Sequence, residues 1–159
     1  MIVQCVDIYN IFNKEYLDEN ISGSVAKGNH YSVLEITFGA HGIFYRIVPD
    51  HGGLYAHSIL VRAQDFKIIS ARFPANWVLS TLEHDYSKLS PEKWMDYNLW
   101  ELGFWGDFGE DKPKALACFR DELKTILATD KDYIATMITE RKDYVSWRES
   151  MLPLLNEVL

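Results

Sequence analysis

The stretch that decides the fold is "HYSVLEITFGAHGIFYRIV", residues 30–48. From 30 to 38 it alternates, with Tyr31, Val33, Glu35 and Thr37 on one face and Ser32, Leu34, Ile36 and Phe38 on the other. A period of two is the signature of a strand. "GAHG" (39–42) supplies a turn and "IFYRIV" (43–48) a returning strand, so the segment predicts a β-hairpin. Working outward, "MIVQCVDIY" (1–9), "LYAHSILV" (54–61), "DFKIIS" (65–70) and "NWVLST" (76–81) add further short strands, with "PDHGG" (49–53) as a turn. Parallel crossovers take a dozen or more residues, which these spacings do not offer, so the pairing should be antiparallel. Pro74 falls between two strands, where its missing donor is tolerated.

Beyond residue 81 the pattern changes. In "SPEKW" (90–94) Ser90 reads as an N-cap, Pro91 as the first helical residue and Glu92 as a first-turn acid. "EDKPKALACFRDELKTILAT" (110–129) places Leu116, Phe119, Leu123, Ile126 and Leu127 on one stripe of a helix. Residues 130–159 repeat the helical period behind Asp130 as a cap, with Pro153 breaking the end. The expectation is one α+β domain over 1–159. Residues 1–81 form an antiparallel sheet of five or six short strands, open or curled toward a barrel, and residues 82–159 form helices packed on it. The strand at 54–61 leaves an edge through which self-association is conceivable.

With 48% hydrophobic and 14% aromatic residues, the 159-residue chain can fill a core and does not read as disordered. Its net charge of −7 disfavours phosphate backbones and anionic membranes and favours a basic partner. Residues 1–81 carry six basic and seven acidic side chains (net −1), and 82–159 carry ten and sixteen (net −6). Residues 83–111 alone hold eight acids against Lys88 and Lys93. The opening "MIVQCVDIYNIF" lacks the plan of a signal peptide, and no apolar run nears the roughly 20 residues of a membrane span. Cys5 and Cys118 are expected to be free thiols. These readings point to the cytoplasm.

Motifs for catalysis do not assemble. "GSVAKGNH" (23–30) has the glycine spacing of a phosphate loop, but Asn29 and His30 stand where lysine and a hydroxyl residue are needed. "DFG" (107–109) lacks the other kinase elements, and no GxSxG elbow or SxxK is present. His30, His41, His51, His57 and His84 show no zinc spacing, so neither metal nor cofactor is expected; a histidine–carboxylate hydrolase is the enzymatic alternative. "ERKDYVSWR" (140–148) mixes charges and reads as ordinary helix.

The segment "WMDYNLWELGFWGDFGED" (94–111) sets three tryptophans, two phenylalanines and a tyrosine among five acids. Its rings fit one helical face, yet Gly103, Gly106 and Gly109 oppose a helix. The expectation is therefore a helix to about residue 98, then an irregular loop up to the helix that starts near 111. Trp94 and Trp100 suit a core; Asp96, Glu101, Trp105, Asp107, Phe108, Glu110 and Asp111 are the candidate partner-binding residues, with the acids facing out.

Together, "HYSVLEI", "YRIV", "DFKIISARFPANWVLS", "LSPEKW" and "GFWGDF", spread over about residues 30–120, resemble small bacterial immunity proteins of contact-dependent inhibition and other polymorphic-toxin systems. The resemblance implies a cytoplasmic protein that binds and neutralises a cognate toxin C-terminal domain, with no catalytic residues to carry over. The charge makes a basic nuclease the expected target. A decoy mimicking nucleic acid is the second alternative.

Overall fold

In the computed structural model the hairpin at 35–47 forms around a tip of Ala40 and His41, with Gly39 paired to Gly42 and Glu35 to Arg46. Gly42 has φ +113°, a conformation open to glycine and strained for other residues. The structure describes residues 1–7, 9–10, 15–16, 25–49, 58–81, 86–96 and 98–140. Its strands are β1 (Ile2–Cys5), β2 (Tyr9–Asn10), β3 (Glu15–Tyr16), β4 (His30–Ser32), β5 (Glu35–Gly39), β6 (Gly42–Ile47), β7 (Ile59–Arg62), β8 (Phe66–Ser70), β9 (Trp77–Thr81) and β10 (Ser87–Pro91). The helices are α1 (Glu92–Met95), α2 (Phe104–Gly109), α3 (Pro113–Thr129) and α4 (Lys131–Glu140). The protein is thus α+β, and every strand pair among the described residues is antiparallel.

The strands do not form one curled sheet. Two antiparallel sheets, ordered β4-β1-β8 and β7-β6-β5-β10-β9, stand beside a short β2-β3 pair, and none closes into a barrel. The alternating run 30–38 is the reason. Val33 and Leu34 separate β4 from β5, so its first half joins the smaller sheet and its second the larger. Both sheets contribute to one core cluster, Val3, Cys5, Tyr31 and Phe66 from the first and Ile36, Tyr45 and Ile47 from the second. β1 is buried on both faces, for Ile2 turns away from that cluster into the one the helices build with Phe119, Leu123, Ile126 and Leu127. Trp77 packs against both.

The helical half also differs from expectation. Residues 87–91 are a strand, hydrogen-bonded between β5 and β9. Ser90 is therefore a fully buried sheet residue rather than an N-cap, and Pro91 precedes the helix. α1 stops at Met95, because the Asp96 carboxylate accepts from the backbone N–H of Asn98 at 3.0 Å and forms a turn. The glycine-bearing stretch is helical instead of irregular. Gly103, at φ +76° and ψ 160°, opens α2, and a Cβ on Gly106 would lie 2.7 Å from that of Leu102. α3 follows the expected stripe, with Pro113 in its first turn, although Ala115 is buried where Leu116 is half-covered. Its end is tied to the smaller sheet by buried Asp130, 3.0 Å from the Met1 ammonium and 2.5 Å from Ser70 Oγ. Residues 54–57 of the expected strand, the turn at 50–53 and the helix beyond Glu140 lie outside the described residues.

Candidate functional site

The rings of 94–111 are mainly core. Trp94 stacks on Phe104 at 4.5 Å and 8°, Phe108 meets Phe119 at 4.6 Å, and Trp105 stands edge-on to Trp94 at 5.0 Å. The Trp100 indole donates to the Lys93 carbonyl at 2.9 Å, which fixes the ring between α1 and α2. Phe108, expected at a partner interface, is buried, and Trp105 is half-buried. Helix formation through the glycines is what turns Phe108 inward.

Asp107 is a correction as well. It does not face outward: it is 4% exposed and organises the loop before α2. Its carboxylate accepts from the backbone N–H of Glu101 at 2.9 Å and of Leu102 at 3.0 Å, and from Lys112 Nζ at 3.0 Å. Burial pushes the Asp107 pKa up, but the hydrogen bonds from Glu101, Lys112 and Leu102 outweigh it and hold the carboxyl below its ordinary value. Lys112 also lies 2.7 Å from Glu101 and 3.4 Å from Glu110. Its hydrogen bonds to Glu101 and Asp107 raise its pKa. Asp96, Glu101, Glu110 and Asp111 are exposed, and of these Glu101 and Glu110 share the single Lys112 ammonium.

Next to this segment runs an open groove of about 520 Å³ between β9 and α1. Val78, Leu79, Met95 and Leu99 supply its apolar surface, and Glu92 and Asp96 its negative charge. Leu79 is 66% exposed in the groove. Lys93 also lines the groove, but its ammonium is 3.3 Å from the buried Glu122, whose hydrogen bond raises the lysine pKa. β9 is the last strand of its sheet, so no strand pairs with its outer side among the described residues. The groove is not legible in the sequence, because β9 and α1 come together once β10 has paired beside β9.

A second cluster went unrecognised in the sequence. Glu35 on β5 is 1% exposed and sits between two cations, with Arg46 Nε at 3.3 Å and Lys88 Nζ at 3.7 Å. The Trp105 indole donates to its other oxygen at 3.0 Å, while the Arg46 guanidinium lies 4.3 Å from the centre of the Trp105 ring. Sheet register puts Arg46 directly opposite Glu35 and Lys88 opposite Thr37, on one face of the larger sheet. α2 covers that face through Trp105. A cleft of about 210 Å³ opens between them, lined by Glu35, Lys88, Trp94, Met95, Leu102 and Trp105 among others.

Of the histidines, His30 is buried with its ring 6.0 Å from Tyr133, and His41 is exposed at the hairpin tip. His51, His57 and His84 lie outside the described residues. Among the described residues no group of three or more histidine, cysteine or acidic side chains is placed to hold a metal ion, and no helix is long and apolar enough to cross a membrane. Cys5 and Cys118 are free thiols; burial, helped by nearby Glu122, pushes the Cys118 pKa up. No protein-family model, no curated protein and no solved structure matches the chain.

Proposed function

We propose that this protein is a cytoplasmic inhibitor of the immunity type, which binds a basic toxin domain, a nuclease, and neutralises it by covering its active site. The observation that carries the reading is the groove between β9 and α1, where exposed Leu79 and Leu99 lie beside the acids Glu92 and Asp96. Apolar surface of this kind gains about 25 cal/mol for each Å² removed from water, and it supplies affinity. The acids contribute mainly association rate and choice of partner, because exposed charge steers encounter. Asp96, Glu101, Glu110 and Asp111 extend the negative rim from the groove along α2. Asp107, Phe108 and Trp105 act beneath that rim, holding its shape.

The test is growth protection. A toxin C-terminal domain encoded beside this protein is induced in a test strain with and without it, and the two are then co-purified. Rescue with a stable complex is expected. A toxic domain that is neither bound nor neutralised would overturn the reading for that pair.

A further inference from the structure

The cleft under α2 holds a positive charge that its own carboxylate does not balance. Glu35 offers one negative charge to two cations, and Arg46 is the better placed. Arg46 Nε is 3.3 Å from Glu35 Oε1, and its Nη1 donates to Ser58 Oγ at 3.2 Å. Lys88 Nζ, at 3.7 Å from the same carboxylate oxygen, is beyond hydrogen-bond reach, and its ammonium has no hydrogen-bond acceptor among the described residues. Its side chain is 26% exposed and lines the cleft. The rest of the wall is apolar or aromatic: Trp94, Met95, Leu102 and Trp105.

From this geometry we infer that the cleft binds a small monocarboxylate with an apolar body, its carboxylate on Lys88 and its body against Trp105 and Met95. The charge balance selects the class. Arg46 and Lys88 against Glu35 leave one positive charge, which a singly charged anion neutralises. A phosphate, carrying more than one negative charge at neutral pH, overshoots and is repelled by Glu35. A neutral aromatic leaves the ammonium unmatched. This inference does not rest on the inhibitor reading: it turns on Lys88 and Trp105, which do not line the groove, while Met95 lines both.

The test uses the full chain with sodium benzoate as probe, at ionic strength held constant with sodium chloride. The readout is the Trp105 indole N–H resonance, assigned by its loss in Trp105→Phe, because that group donates to Glu35. A saturable shift with benzoate is expected, with benzyl alcohol and phosphate each at least tenfold weaker. Lys88→Met should weaken benzoate at least tenfold, while Lys67→Met, an exposed lysine on the other sheet, should leave it unchanged. The benzyl alcohol and phosphate arms need no variant, so the inference stays testable if Lys88→Met does not fold. A shift that fails to saturate, equal binding of benzyl alcohol, tighter binding of phosphate, or unchanged benzoate affinity in a folded Lys88→Met protein would each overturn it.

Discussion

Replacing Glu35 with glutamine removes one charge and almost no volume, which isolates the electrostatic role of the residue. The amide oxygen can still accept from Trp105, so the loss falls on the two cations. Removing one member of a buried ion pair costs about 3–5 kcal/mol, because the remaining charge stays desolvated. Arg46 and Lys88 keep 15% and 26% of their side-chain surface in water, so the cost here belongs below that range, at about 2–3 kcal/mol. For a chain of this size that corresponds to a melting point lower by roughly 5–10 °C. Urea unfolding followed by tryptophan fluorescence gives the free energy, and an unchanged slope shows that the same surface unfolds. Arg46→Met in the Glu35→Gln background removes the most desolvated stranded charge. The double variant should therefore lose less than the sum of the two single losses, by at least about 1 kcal/mol. A Glu35→Gln loss under about 1 kcal/mol, or strict additivity, would show that the three charged groups do not act as a buried unit.

Three further outcomes are expected. Gly103→Ala should destabilise the protein by about 1–3 kcal/mol in the same unfolding assay, because φ +76° with ψ 160° is a region almost confined to glycine. Asp107→Asn should lower the urea midpoint at pH 7, and by progressively less as the pH is taken below 3.8. A carboxyl held below its ordinary 3.8 stabilises fully above that value and loses its contribution as pH falls through the lowered one, so the gap between wild type and variant should close in acid. Glu92→Lys should slow association with the toxin domain while leaving the melting point nearly unchanged, the side chain being exposed at the groove; stopped-flow measurements at low and high salt should show the difference shrinking as salt rises.

The hairpin at 35–47 was legible because alternation and the flanking glycines, Gly39 and Gly42, agree on it. The division into two sheets was not. Nothing between Tyr31 and Phe38 interrupts the alternation, so the step at Val33–Leu34 is visible only once both halves have found partners. "SKLSP" resembles a helix start because Ser-Pro-Glu is a strong local signal, yet pairing with β5 and β9 overrides it. In 94–111 the ring spacing was right and glycine propensity misled. Gly103 is needed for its φ, and Gly106 gives Leu102 its place, so two residues that weaken an isolated helix are what this one requires.

The site was harder to read for the same reason. Acid count showed where the negative charge lies along the chain, but not that Lys112 would draw Glu101, Asp107 and Glu110 together. Glu35 looked like any polar residue on a strand face. Its partners lie 11, 53 and 70 positions away, and only sheet register and the placement of α2 bring them to it.

The docking proposal stands or falls most directly on backbone hydrogen exchange of the protein with and without its toxin domain. If the groove is the interface, protection on binding should concentrate in β9 (Trp77–Thr81) and in residues 92–102, with the hairpin tip at Ala40 and His41 unchanged. Protection centred on the hairpin or on α4, with β9 unaffected, would place the interface elsewhere and refute the assignment of the groove.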